Sequence, residues 1–199
     1  MSTVHAWTGT FRKLLPSETD QFRDHLLRLD PASRRMRFAH AVSDGFLADY
    51  AKTMAANDTI IYGYVDGGLV GAVAELRKIG TTWGDHAEAA FSVERQYRDQ
   101  GIATELLGRV IRSARNRSVG HLIMNCLAEN AQMQRVARHY DADLRFECGD
   151  VIAEILPEVS NRMSVIAEAL EDRMGYFMAV FDLKTKAAGV FNTRVSKAA

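Results

Sequence analysis

Two cysteines in 199 residues are too few to staple a small secreted fold. Cys126 and Cys148 belong to no Cys-x-x-Cys or Cys/His spacing, so the cysteines support neither a zinc site nor a disulfide scaffold. Reduced thiols packed in or near the core are the expectation. A surplus of positive charge is also missing: Lys+Arg 25 balances Asp+Glu 25, which argues against nucleic acid as the main partner. No apolar run reaches transmembrane length, so no membrane partner is expected. Residues 1–15 lack the apolar core and cleavage site of a secretory signal, and a cytoplasmic protein is the default. Repeats, low-complexity linkers and a Gly-x-Gly-x-x-Gly fingerprint are lacking too, the last arguing against a dinucleotide-binding Rossmann domain. What remains is 47% hydrophobic and 25% charged, the profile of a globular chain long enough for one well-buried core.

The pattern along the chain predicts a mixed α/β (α+β) fold. Thr8–Leu15 reads as a first strand. A helix follows Pro16-Ser17, with Ser17 as its N-cap. A second helix starts near Asp30-Pro31 and runs on towards Tyr50, with Gly45 as the place where it would split. Thr59–Val65 and Leu69–Lys78 form a hairpin across Asp66-Gly67-Gly68. His86–Val93 is the next strand. Ile102–Arg117 is the clearest helix, with Ile102, Leu106, Val110 and Ala103, Leu107, Ile111, Ala114 at helical spacing. His121–Leu127, a helix over Asn130–Tyr140 and a hairpin across Gly149-Asp150 complete residues 1–156. The extension 157–199 is expected to pack on the same domain. It reads as a helix over Ser160–Met174 stopped by Gly175, a strand over Tyr176–Leu183, and a frayed end. Met163, Ile166, Ala167, Leu170 and Met174 need a partner surface, for which a homodimer interface is one candidate.

The stretch Phe91-Ser92-Val93-Glu94-Arg95-Gln96-Tyr97-Arg98-Asp99-Gln100-Gly101-Ile102-Ala103-Thr104 carries the chemistry. A strand runs into a polar loop and then into the long helix. The helix start exposes unpaired N–H groups and the positive end of the macrodipole, a ready site for phosphate. Gly101 and Ala103 let the backbone approach a pyrophosphate closely.

This Arg-x-x-Gly-x-Ala segment resembles the acyl-coenzyme A signature of the GNAT superfamily of N-acyltransferases. The element order over roughly 5–156 matches that layout. The resemblance implies a largely antiparallel sheet flanked by helices, and acetyl-CoA as acyl donor. By the same resemblance, the backbone of Phe91, Ser92 and Val93 pairs with the pantetheine arm and polarises the thioester carbonyl. Arg98, Asp99, Gln100, Gly101, Ile102, Ala103 and Thr104 hold the pyrophosphate. Asn130 is the candidate for one more cofactor contact, beside its ordinary role as an N-cap.

Glu88 stands in the apolar run Ala87-Glu88-Ala89-Ala90, a costly place for a carboxylate unless it is paired or functional. It falls where bacterial protein-lysine acetyltransferases of the superfamily carry a glutamate base, which takes the proton from the attacking amine. The competing reading pairs it with Arg77 or Lys78 on the neighbouring strand; Glu75 and His86 are the reserves. Ser33-Arg34-Arg35-Met36-Arg37-Phe38 and Asn130-x-x-Met133-x-x-Val136-Ala137 resemble the same subgroup, although a solvated helix face also explains the arginines. One departure stands out. The tyrosine that commonly protonates the departing thiolate is replaced by Ala137, so no general acid is assigned, and the usual Gly-Phe is replaced by Asp141-Ala142-Asp143-Leu144. The reading is an acetyl-CoA-dependent N-acetyltransferase acting on a protein lysine or a small amine. Its alternative is a non-catalytic acyl-CoA-binding or sensing module.

Overall fold

The computed structural model describes residues 7–57 and 59–196. β1 (Thr10–Lys13) leads through a 3-10 turn at Pro16–Glu18 to α1 (Thr19–Arg28), α2 (Pro31–Phe38) and α3 (Asp44–Ala56). β2 (Ile60–Asp66), β3 (Leu69–Lys78) and β4 (His86–Val93) follow, then α4 (Ile102–Arg115), β5 (His121–Leu127) and α5 (Ala131–Arg138). β6 (Asp143–Glu147), β7 (Asp150–Ile155) and α6 (Arg162–Ser196) close the chain. The strands form one sheet in the order β1-β2-β3-β4-β5-β7-β6. Every neighbouring pair is antiparallel except β4 and β5.

Alternation along the strands sends side chains to two cores. Tyr62, Ala72, Ala74, Leu76, Ala87 and Ala89 pack with Ile102, Leu106, Leu107 and Val110 of α4. On the opposite face Ile61, Val65, Val70 and Val73 pack with Phe22, Leu26, Leu47 and Ala51 of α1 and α3. The central strands are thus buried on both faces. α4 seats its apolar stripe on the sheet, as its periodicity predicts.

Four local expectations are corrected. Ser17 is not an N-cap: Pro16–Glu18 forms the 3-10 turn, and Glu18 turns inward to a bidentate pair with Arg12 at 2.7 and 2.7 Å. α2 and α3 are separated at Ala39–Ser43 and not at Gly45. Ala39 adopts φ 63°, and Ser43 caps α3 by accepting from the Phe46 amide. Tyr176–Leu183 is helix, not strand, and Gly175 does not stop it. A Cβ at Gly175 would lie 3.0 Å from Cβ of Arg12, so the glycine is spent on close approach to β1. The end does not fray at Lys184 either: α6 runs to Ser196, and residues 197–199 lie outside the described residues.

α6 is polar on the face it buries. Glu168 takes Lys13 at 2.6 Å, Asn116 at 2.6 Å and Arg117 at 3.0 Å. Asp172 takes Lys13 at 2.7 Å, and Glu171 takes Arg109 at 2.8 Å and also Arg112. Met163, Ile166, Leu170, Met174 and Phe177 face outward, each more than half exposed.

Candidate active site

The parallel β4–β5 ladder is short. His86, Ala87 and Glu88 pair with His121, Leu122 and Ile123, and pairing ends there. Beyond Glu88 the strands part. The Glu94 amide donates to Gly71 O of β3 at 3.0 Å. Counting back along an antiparallel ladder, Phe91 and Val93 turn their amide groups away from β3, into the gap.

A cavity of about 670 Å³ opens at this gap. Phe91, Ser92 and Val93 form one wall. Tyr97, Arg98, Asp99, Gly101, Ile102, Ala103 and Thr104 form its floor, Asn130, Met133 and Val136 the opposite wall, and Ser33, Met36 and Arg37 of α2 its roof. Of the residues expected to hold a cofactor, all but Gln100 line it. The Gln100 carbonyl accepts from the Trp7 indole at 2.9 Å, and its side chain donates to Gln96 O at 2.7 Å.

The floor is built for close approach. Asp99 has φ 58° and Gly101, the residue preceding α4, has φ 74°. The first amides of α4 have no acceptor within the helix and sit at the cavity. Arg98 donates to Ser33 Oγ and to Val93 O at 3.4 Å, bridging floor, roof and wall. It also lies 3.8 Å from Asp30, the α2 N-cap. The hydroxyl and amide of Ser33 hold that carboxyl below its usual range. Arg35 and Glu129 pair across the mouth, tying α2 to the β5–α5 loop. Asn130 caps α5, its Oδ1 accepting from the Met133 amide at 3.1 Å.

Glu88 does not line this cavity. It pairs with Arg77, its register partner on β3, and its side chain stays about one-third exposed. Glu75 is the carboxylate in the fully buried position. It accepts from Arg37 at 2.6 Å and from Tyr50 at 2.5 Å. Arg77 reaches the Tyr50 hydroxyl at 3.4 Å, so Glu88, Arg77, Tyr50, Glu75 and Arg37 form one continuous network under the roof. Burial and the adjacent Glu75 push the Tyr50 hydroxyl up. Burial works against charge on Arg37, but Glu75 and Tyr50 outweigh it and hold the guanidinium protonated. The sequence singled out Arg37 within Ser33–Phe38 and Glu75 as a reserve, but no linear signal joins Tyr50 to them. His86, the other reserve, lies at the far end of β4. Its ring stacks on His121 at 4.6 Å, and with Asp85 the two gather three ligand atoms within 4.8 Å, a grouping that cysteine spacing does not register.

α5 turns no tyrosine hydroxyl into the cavity. Ala137 is fully buried, and the Tyr140 hydroxyl donates to Thr104 O at 2.8 Å. Tyr97 lines the cavity, but its hydroxyl faces Asp66 at 3.4 Å.

No curated relative matches the chain. Among solved structures, the GNAT domain of S. lividans PAT shares 21% identity, with a TM-score of 0.64 over 74% of this chain and 90% of that one. The structure of yncA from Salmonella typhimurium with its cofactor acetyl-CoA shares 13% identity, with a TM-score of 0.57 over 78% of this chain and 97% of that one. A cAMP-binding acyltransferase from Mycobacterium smegmatis shares 22% identity, with a TM-score of 0.56 over 86% of this chain but 52% of that longer one. At such identities these likenesses concern the fold. The Acetyltransferase (GNAT) domain family matches residues 10–143, well over half of the sequence. With that match, the split β4–β5 ladder and the glycine-led start of α4 find their place: this chain belongs to the GNAT family and is an N-acetyltransferase.

Proposed function

We propose that the chain transfers an acetyl group from acetyl-CoA to a primary amine by direct attack within a ternary complex. The observation that carries this is the cavity opened where β4–β5 pairing stops at Glu88 and Ile123, with the start of α4 as its floor. An extended pantetheine arm fits there as an added strand, taking hydrogen bonds from the amides of Phe91 and Val93. The first amides of α4, with Arg98, Asp99, Gly101, Ile102, Ala103 and Thr104, are suited to a pyrophosphate. Asn130 adds a polar group on the opposite wall. The same strand amides are placed to stabilise charge on the thioester oxygen as the amine attacks.

Glu88 is the general base of this reading, acting directly or through water. Its pairing with Arg77 orients it between the buried network and solvent. The Ser33–Phe38 segment, which roofs the cavity, and the likeness to the GNAT domain of S. lividans PAT support a protein lysine as acceptor. A small amine is the alternative acceptor. The setting is cytoplasmic, and no nucleic acid, membrane or metal takes part. The chain is a homodimer, joined through the outer face of α6. That face presents an uncharged seam at positions 163, 166, 170, 174 and 177, the 3.5-residue spacing of a helix that meets another helix. An identical neutral seam on a second copy complements it.

The test is thiol release from acetyl-CoA against a panel of lysine peptides and small amines. Glu88→Gln should lower kcat on the order of a hundredfold with a competent acceptor. That loss should shrink at high pH, where more of the amine is already neutral. Unchanged turnover at neutral pH would move the base role to Glu75, His86 or water. The sensing-module alternative is favoured by the tyrosine missing at Ala137. It predicts acetyl-CoA binding with no thiol release against any amine.

A further inference from the structure

Behind the cavity wall lies a buried chain of three polar side chains that direct amine attack does not use. Ser92 Oγ lies 2.8 Å from His25 Nε2, and His25 Nδ1 lies 2.9 Å from Glu94 Oε1. His25 is fully buried in α1, and Ser92 and Glu94 are each 6% exposed. Arg28 donates to the same carboxylate oxygen at 3.1 and 2.9 Å, and Gln96 donates to the other at 2.8 Å. Burial opposes the charge on Glu94, yet the hydrogen bonds from His25 and Arg28 hold its carboxyl below the usual range. An ionised Glu94 accepts a hydrogen bond from the Nδ1–H of His25, and Nε2 is then the acceptor for the Ser92 hydroxyl. Hydroxyl, imidazole and carboxylate thus stand in the order of an activated acyl-transfer serine, an arrangement known by geometry and not by chain order. Ser92 sits between Phe91 and Val93 on the cavity wall, and the amides of those two neighbours face the gap, where they can donate to the oxygen of a bound thioester. A tie between α1 and β4 alone needs one hydrogen bond, not an oriented relay that ends at the cavity wall.

We infer that Ser92, His25 and Glu94 form an acyl-transfer triad, by which the chain also takes the acetyl group onto Ser92 and hydrolyses acetyl-CoA when no amine is bound. This rests on acetyl-CoA occupying the cavity. Ser92 Oγ attacks the thioester carbonyl and its proton passes to His25 Nε2. The C–S bond breaks, and the thiolate sulfur takes that proton and leaves as coenzyme A. Water then attacks the acetyl ester, giving its proton to His25. The Oγ–acyl bond breaks, Ser92 recovers its proton from His25, and acetic acid leaves, giving the second proton of the water to solvent as it ionises to acetate. The triad would supply the proton that no α5 tyrosine provides.

The test uses the full chain with saturating acetyl-CoA and no amine. Three quantities are read: acetyl-CoA binding by calorimetry, thiol release, and the mass of the Ser92 peptide after acid quench. The expected result is binding, slow amine-independent thiol release, and one acetyl group on the Ser92 peptide. Ser92→Ala should lose the adduct and lower the release on the order of a hundredfold or more. Ser92→Cys, nearly isosteric, should restore an acetylated peptide, because a thiol in that position remains a nucleophile. Binding and amine-dependent turnover without amine-independent release would overturn the triad and leave the acetyltransferase reading standing. Release at the wild-type rate from Ser92→Ala would do the same. Failure to bind acetyl-CoA at all would overturn both readings.

Discussion

Gly101 adopts φ 74° at the step from the Arg98–Gln100 turn into α4. A residue with a Cβ pays roughly 1–2 kcal/mol in that conformation. Glutamate there would also bring bulk and negative charge to the helix start proposed for a pyrophosphate. Gly101→Glu should therefore abolish acetyl-CoA binding, and calorimetry showing undiminished affinity would remove the helix start from the site. This residue was legible in the sequence because its signal is local: a glycine between a polar turn and an apolar 3.6 period. Asn130 was legible for the same reason, since a cap acts within three residues. Glu88 and Glu75 were not separable by sequence. Both are carboxylates in apolar strands, and only tertiary structure shows that Glu88 meets Arg77 near solvent while Glu75 is sealed between Arg37 and Tyr50. His25 and Ser92 stand 67 residues apart in the chain, and no spacing rule connects them.

Among the elements, α6 departs furthest from expectation. Gly175 carries the local signal of a helix stop, but the apolar period of Met163, Ile166, Leu170 and Met174 continues through Phe177 within one helix. Small residues at Gly175 and Ala179 carry the buried face, where an apolar stripe would ordinarily be sought. What binds α6 to the domain is electrostatic, and Glu168 is its centre. Burial disfavours its charge, but Lys13, Asn116 and Arg117 outweigh that and bring its carboxyl down from 4.5 to about 2. A depressed carboxyl stabilises the fold above its unfolded value and ceases to do so as pH falls through the folded one. The contribution is about 3 kcal/mol at neutral pH, lost between about pH 5 and pH 2. Glu168→Gln should therefore lower the urea midpoint at pH 7. Its deficit against the wild type should shrink steadily on acidification over that range. A deficit independent of pH would show that packing, not charge, holds α6.

At the scale of the whole molecule, the outward seam of α6 and its inward ion pairs bear on assembly and on stability separately. A chain ending at Leu156 would leave Lys13, Arg109, Arg112 and Arg117 without their partners on α6. It should lose both stability and self-association. Leu170→Glu touches only the seam, so it should yield a monomer by sedimentation velocity with its unfolding midpoint little changed. A full-length chain that sediments as a monomer would retire the dimer.

The short β4–β5 ladder has a mechanical consequence. The sheet is in effect two plates, β1 to β4 and β5 to β6, riveted along a single edge by the stretch from His86 to Glu88. Such a joint bends more readily than either plate. Amide hydrogens of Met124–Leu127 should therefore exchange faster than those of Ala72–Leu76, which are laddered on both sides. A ligand lying in the gap would act as a splint across the hinge. Acetyl-CoA should slow exchange on both of its flanks together, converting two plates into one board.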